Sequence, residues 1–262
     1  MTTKNKKVIV ITGASSGIGK ATAILAAESG MTPVLLARSV DTLRALADNL
    51  QHSAPDVGYY RLDVTKDRQI VDIVQKIICR YGKIDIWVNN AGFGIFAPFS
   101  EAKLEDIANM MDVNYLGTVR CTKAVLPHML GQKSGHIINV ASVAGKLATP
   151  KSSGYTASKF AVVGFTESLR QELKGSGVSI SLVNPGPVQT PFFERADQNG
   201  EYRRSVEAFM LPPETVAKSV LRTIHNRKAE AIIPRYMRIG VILFHLFPRF
   251  FDRVIAPRLN KK

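Results

Sequence analysis

The chain has 262 residues, 45% of them apolar, enough for one complete hydrophobic core and, with strands and helices alternating, for a single domain rather than two. Its two cysteines, Cys79 and Cys121, and its five histidines show neither disulfide-framework nor metal-ligand spacing, so a reducing compartment, a cytoplasmic location and no metal are expected. The net charge of +14 comes without a nucleic-acid recognition motif, which argues against nucleic acid as a partner, and the longest apolar run, Ile239 to Phe247, is too short to span a bilayer.

Val8–Ile11 is a short continuous apolar run that ends in a glycine turn, the pattern of a strand buried on both faces. A helix is predicted from Gly17 to Ser29, with Ile18, Ala21, Leu25 and Ala26 inward and Gly30 as its stop. Val34–Ala37 is the second strand. A helix follows from Asp41, its expected cap, to Leu50, buried through Leu43, Leu46 and Leu50. Tyr59–Leu62 reads as the third strand, Asp67–Tyr81 as a helix and Ile84–Val88 as the fourth strand. Helical periodicity covers Leu104 to Leu130, with a break expected before Asp112. His136–Val140 is the fifth strand, Tyr155–Lys174 a helix and Val178–Val183 the sixth strand. Pro213 opens a further helix at the first-turn position that proline tolerates, and Ala231–Ile233 is a last short strand. Strands alternating with helices through right-handed crossovers predict an α/β fold, a doubly wound parallel β-sheet flanked by helices on both faces.

In such a sheet, ligands bind beyond the carboxyl ends of the strands, where the strand order reverses. The first strand runs into Thr12-Gly13-Ala14-Ser15-Ser16-Gly17-Ile18-Gly19. Glycines let the backbone approach a pyrophosphate, and the helix start behind them offers unpaired N–H groups and a positive dipole end. The spacing is G-x-x-x-G-x-G rather than G-x-G-x-x-G. Alone it fits a plain tight turn equally well; its place directly after the first strand is what favours a phosphate site. At the end of the second strand stand Ala37-Arg38-Ser39, without the carboxylate that would take a ribose 2′-hydroxyl. Arg38 can grip a 2′-phosphate through its planar fork and Ser39 can add a hydroxyl, which points to NADP(H) as cofactor; a solvated arginine at the sheet edge is the alternative.

Tyr155 and Lys159 lie four residues apart on a predicted helix, which puts both side chains on one face with Cβ atoms roughly 5–6 Å apart. A phenol with a pKa near ~10 exchanges protons poorly at neutral pH until a cation lowers that value. Bringing it to ~7 takes roughly 4 kcal/mol, which Lys159 and the charge of an oxidised nicotinamide would share. A phenol tuned in this way is a general acid/base suited to interconverting a ketone and an alcohol.

Thr12 to Gly19, Asp63-Val64, Asn89-Asn90-Ala91-Gly92, Asn114, Ser142, Tyr155 to Lys159, and Pro185-Gly186 with Thr190 occur in that order within residues 8–190. With this ordered set the chain resembles the short-chain dehydrogenase/reductase family in its single-domain form. The resemblance implies a Rossmann-type fold over residues 1–262 and an NADP-dependent enzyme acting on CH–OH and C=O groups. It implies cofactor contacts from Gly13, Ser15, Ser16, Gly17, Ile18 and Gly19, from Arg38 and Ser39, and from Asp63 and Val64 at the adenine. Asn90, Ala91 and Gly92 would follow along the adenine ribose, although Asn89 and Asn90 serve equally well as ties between strand ends. Pro185, Gly186, Val188 and Thr190 would border the nicotinamide. In the implied chemistry Ser142 donates a hydrogen bond to the substrate oxygen, Tyr155 supplies the proton, and Lys159 tunes the phenol and holds the nicotinamide ribose. Asn114 would hold a water that reconnects Lys159 to solvent, unless it only kinks its helix. Family members are commonly dimers or tetramers, so a homodimer or homotetramer is expected. A non-catalytic NADP-sensing or scaffold protein is the alternative, and the complete Asn114, Ser142, Tyr155 and Lys159 set argues against it.

The substrate pocket is expected from Gly94–Phe99, the loop Lys146–Pro150 and the segment Phe192–Leu211, which supply Phe96, Phe99, Leu147, Phe192, Phe193, Phe209, Met210 and Leu211. Such a lining suits a lipophilic small-molecule carbonyl or alcohol. Gly200 and the charges of 192–211 mark that segment as a lid. Residues 203–262 carry 13 Lys/Arg and 4 Asp/Glu, and the extension 234–262 interleaves apolar and aromatic residues with arginines. Peripheral attachment to an anionic membrane surface and a contact between subunits explain this ending equally well.

Overall fold

Strand β1 (Val8–Thr12) is buried from end to end and pairs in parallel with β2 (Thr32–Ala37) on one side and β4 (Ile86–Asn89) on the other. The sheet extends beyond β2 to β3 (Gly58–Arg61), and beyond β4 to β5 (Gly135–Val140), β6 (Val178–Pro185) and β7 (Glu230–Ile233). The order is therefore β3-β2-β1-β4-β5-β6-β7, all parallel, with the direction of winding reversing between β1 and β4. This computed structural model describes residues 6–197, 199–247, 249 and 253.

Helices cover both faces. They are α1 (Gly17–Glu28), α2 (Val40–Leu50), α3 (Asp67–Tyr81), α4 (Leu104–Met110), α5 (Gly117–Gly131), α6 (Ser153–Glu172), α7 (Phe192–Ala196), α8 (Glu201–Val206), α9 (Pro213–Asn226) and α10 (Met237–Leu246). Successive strand side chains point to opposite faces. Ile9 and Ile11 thus join Ala23 of α1, Leu43 of α2 and Val216 and Val220 of α9 in one core layer. Val8 and Val10 join Ile70 and Val74 of α3 and Cys121 and Val125 of α5 in the other. Cys79, by contrast, is exposed. The predicted doubly wound α/β fold is the one observed.

Three local expectations need correction. Helix α1 buries Ala21, Thr22, Ala23, Ala26 and Ala27, while Ile18 and Leu25 are only partly covered; its small residues form the face on which α9 packs. The cap of α2 is Ser39 and Asp41 sits in the first turn, with the Ser39 hydroxyl 2.9 Å from that of Thr42. The helix over Leu104 to Leu130 does not break before Asp112. It widens into a π turn at Met111–Leu116 between α4 and α5, closed by the Gly117 N–H on the Asp112 carbonyl. Helices α7 and α8, within residues 192–211, are not among the predicted elements. Of the C-terminal extension, Pro248, Phe250, Phe251 and the basic end apart from Arg253 lie outside the described residues. Among the described residues, no helix is long and apolar enough to cross a membrane.

Candidate active site

A cavity of about 970 Å³ runs along the carboxyl ends of the strands, from Arg38 and Asp63 past the Gly13–Gly17 turn to Ser142, Tyr155 and Lys159. Its position at the reversal between β1 and β4 is where an open α/β sheet leaves a crevice.

The glycine turn forms the cavity floor. Gly13 and Gly17 have φ of +66° and +52°, a conformation that only glycine adopts without strain. A Cβ on Gly17 would lie 2.9 Å from Thr190 Cγ2, so the turn closes directly against the loop after β6. A Cβ on Gly19 would collide with the carbonyl of Gly13. Asn90 holds the same turn from the side, donating from Nδ2 to the carbonyls of Thr12 and Gly13 at 3.0 and 3.2 Å. Thr12 Oγ1 accepts from the backbone N–H groups of Asn90 and Ala91 at 2.9 and 3.0 Å. The start of α1 has neither a side-chain cap nor an acidic residue in its first turn, which leaves its N–H groups and dipole to an anion.

At one end, Arg38 and Ser39 line the cavity together with Asp63 and Val64. Burial pushes the Asp63 carboxyl up, but hydrogen bonds from the Thr65 N–H and hydroxyl, at 3.0 and 2.8 Å, and the charge of Arg38 hold it below the usual range. A glycine cradle, an open helix start and a cation at the end of β2 fit an extended dinucleotide.

The chemical end is assembled from β5, the turn after it and α6. Ser142 accepts the Ala144 N–H at 3.0 Å and reaches the Pro185 carbonyl at 3.4 Å. A Cβ on Gly145 would come 2.8 Å from the Lys159 carbonyl, so this turn lies hard against α6 and brings Ser142 to Tyr155. Lys159 Nζ stands 5.8 Å from the centre of the Tyr155 ring and donates to the Val140 carbonyl at 3.2 Å. Both side chains are buried. Burial lowers the Lys159 pKa to about 8 and pushes the Tyr155 phenol up, against the opposing hydrogen bond with Ser142. The placement of the pair on one helix face is as expected. Desolvation is the largest influence on both groups.

Beneath these residues runs a chain of buried polar side chains. Asn89 accepts from Trp87 Nε1 at 2.7 Å and donates to Thr122 Oγ1 at 3.0 Å and Asn139 Oδ1 at 2.8 Å. Asn139 in turn donates to Thr166 Oγ1 on α6 at 2.8 Å. Asn89 is therefore a tie between elements, whereas Asn90 both ties the turn and lines the cavity.

Asn114 is buried. From the π turn its Oδ1 accepts the Phe93 N–H at 2.9 Å, and its Nδ2 donates to the Phe93 carbonyl at 2.8 Å and to Ser158 Oγ at 2.9 Å. Its amide clamps the loop after β4. Of the residues predicted for the catalytic and cofactor sites, Gly19 and Asn114 lie behind the cavity wall, and the others line it.

Aromatic rings close the chemical end. Phe96 lies 5.7 Å from Tyr155, and Phe192 lies 5.5 Å from it, ring centre to ring centre. Tyr202, which the sequence did not single out, packs at 4.8 Å from Phe96 and stacks on Phe193 at 5.9 Å. Leu147 and Met237 complete the apolar lining, and Arg195 lies 3.8 Å above the Phe93 ring. Phe99 and Phe209 are exposed and do not line the cavity, nor do Met210 and Leu211. Leu211 instead forms a bridge with Val188. Lys146 turns away to Glu167 and Glu230, at 2.7 and 3.1 Å.

The short chain dehydrogenase family matches residues 7–201. The uncharacterized oxidoreductase YxnA of Bacillus subtilis is 38% identical over 256 residues, which cover 95% of this chain and 71% of that protein. A short-chain dehydrogenase/reductase of Burkholderia phymatum, solved in complex with NAD, has a TM-score of 0.88 and 31% identity over 95% of this chain and 96% of that one. An alcohol dehydrogenase of the archaeon Thermococcus sibiricus, complexed with 5-hydroxy-NADP, has a TM-score of 0.76 and 30% identity over 87% and 96%. The sequence match takes in most of the chain and the same sheet carries it: the chain belongs to the short-chain dehydrogenase/reductase family of oxidoreductases.

Proposed function

We propose that the protein is an NADP(H)-dependent oxidoreductase that interconverts a lipophilic ketone and its secondary alcohol. What carries this reading is the meeting of Ser142, Tyr155 and Lys159 at one end of the long cavity, beneath a wall of aromatic rings. When bound, the nicotinamide supplies or takes up the hydride. Ser142 donates from Oγ to the carbonyl oxygen on which negative charge grows, the electrostatic stabilisation that often dominates such rates. Tyr155 gives its hydroxyl proton to that oxygen in reduction and, as phenolate, takes the proton of the alcohol in oxidation. Burial opposes the phenolate, and Lys159, 5.8 Å from the ring centre, is the neighbouring cation that would stabilise it. Asn114, whose Oδ1 accepts one N–H and keeps a second lone pair, would hold the water that links Lys159 to solvent.

Arg38 and Ser39 support NADP(H) over NAD(H), because the end of β2 offers a cation and a hydroxyl and no carboxylate. Phe96, Phe192, Phe193 and Leu147 support a lipophilic substrate.

The test is a screen of aldehydes, ketones, sterols and 3-oxoacyl compounds for NADPH oxidation, run on the wild type and Tyr155→Phe. Turnover that vanishes in the variant while NADPH binding persists supports the assignment. NADPH binding with no turnover across the screen would favour a sensing role.

A further inference from the structure

Helix α10 presents four residues, Ile239, Ile242, Leu243 and Leu246, spaced i, i+3, i+4 and i+7, so they form one stripe along the helix. All four face solvent, between 46% and 65% exposed, and Tyr236 and Phe247 prolong the stripe at either end. The opposite face holds the helix to the protein. Val241 is buried, and Met237 lies so close to Gly186 that a Cβ there would come 2.7 Å from its sulfur. Met237 also lines the cavity that contains Tyr155. The exposed stripe thus begins beside the mouth of the active site.

We propose that this face of α10 docks on an anionic lipid bilayer and passes lipophilic substrate from the bilayer into the cavity. The substrate half of the proposal rests on the function proposed above; the docking half stands without it.

Charge selects the lipid. Arg235 and Arg238 are exposed at the start of α10, and neither has an acidic partner among the described residues. Residues 203–262 have a net charge of +9. A second copy of the chain meeting this face would bring the same net positive charge against it. Anionic headgroups would neutralise them instead, each cation near such a surface contributing about 1 kcal/mol. Helix α10 has only 10 residues and does not cross a membrane. It suits an in-plane position, with the stripe at the acyl boundary and the arginines among the headgroups. From there a sparingly soluble ketone reaches Met237 and the aromatic wall without first crossing bulk water.

The experiment is co-sedimentation of the full chain, with NADPH bound, on vesicles of phosphatidylserine and phosphatidylcholine and on vesicles of phosphatidylcholine alone. Binding to the anionic vesicles only, weakening as salt is raised, is expected. The double variant Ile242→Asp with Leu246→Asp should lower that binding at least ~10-fold, since it removes two apolar anchors and adds repulsion. Its melting temperature, NADPH affinity and turnover of a water-soluble ketone should equal those of the wild type. Wild-type protein that ignores anionic vesicles, or a variant that binds them equally well, overturns the proposal. So does a variant whose only change, by analytical ultracentrifugation, is loss of a partner subunit, which would assign the face to a second copy. Absence of soluble-ketone turnover in the wild type would sink the enzymatic reading and leave the vesicle result to decide docking by itself.

Discussion

The ring of Phe192 lies 5.5 Å from that of Tyr155 and is tilted 59° to it, so the first lid helix rests on the phenol that the proposed chemistry uses. Phe96 approaches the same phenol at 5.7 Å from the other strand-end loop. Phe192→Ala is predicted to raise KM for a lipophilic ketone about tenfold, the equivalent of ~1.4 kcal/mol of lost apolar contact. NADPH affinity should stay constant. An unchanged KM would remove Phe192 from the substrate wall.

The proposed roles of Lys159 and Tyr155 carry a pH dependence. Burial brings the Lys159 pKa to about 8, whereas the Tyr155 phenol is pushed up and stays protonated through neutral pH. Reduction needs the phenol's proton and the lysine's charge. The expected kcat/KM for reduction is therefore level at neutral pH and falls as the pH rises through about 8. A profile that stays level far above that value would separate the charge of Lys159 from the rate.

Arg38→Asp removes the proposed grip on the 2′-phosphate and supplies the carboxylate that a ribose hydroxyl prefers. The ratio of kcat/KM with NADPH to that with NADH should fall by at least ~100-fold, since charge-assisted contacts contribute ~1.5–3 kcal/mol and the new carboxylate repels phosphate. Steady-state kinetics with both cofactors would check this, and an unaltered ratio would place the phosphate contact elsewhere.

In Gly19→Ala two effects oppose each other. Alanine gains up to ~1 kcal/mol of helix propensity. Its Cβ, however, would meet the Gly13 carbonyl and come 2.6 Å from Asn90 Nδ2. Overpacking of that kind costs about 1–3 kcal/mol, and part of the relief would come from displacing the cofactor turn. The clash should win, with a lower melting temperature and weaker NADPH binding by calorimetry. A variant as stable as the wild type and binding as tightly would show that the turn yields without cost.

His136 is buried 2.7 Å from Ser181, and burial, aided by the charge of Arg227, lowers its pKa from 6.5 to about 4. Between those values the unfolded chain binds the proton that the folded chain refuses. The stability contributed by the neutral ring is thus complete above pH 6.5 and is lost as the pH falls toward 4, by at most about 3 kcal/mol. Melting temperatures of the wild type should drop across this window more steeply than those of His136→Gln; equal slopes would assign the acid sensitivity to other groups.

The strands and the cofactor turn were legible because their signals are local: an apolar run, a glycine where φ is positive, an arginine at a strand end. The π turn was not, because Met111–Leu116 inserts extra backbone into the helical register and the apolar pattern shifts phase without any proline or glycine to mark it. Tyr202 was passed over because Glu201, Arg203 and Arg204 around it read as a solvated stretch, although its ring closes on Phe96 and Phe193. Phe99 and Phe209 show the opposite error, since apolar character says nothing about direction and both rings point outward. Spacing placed Lys159 beside Tyr155, but the balance between its charge and the phenol's burial is a property of the packed interior. The same holds for Asn114, whose amide is claimed by a loop twenty-one residues away.

The Asn89–Asn139–Thr166 chain joins β4, β5 and α6 through side chains that water does not reach. If α6 crept along the sheet by even one position, these donors and acceptors would be orphaned together, at about 1–3 kcal/mol for each. The foundation is riveted, and adaptability is left to the roof formed by α7 and α8. Exchanging that roof for another should therefore redirect the enzyme to new molecules while the proton-handling trio stays in register.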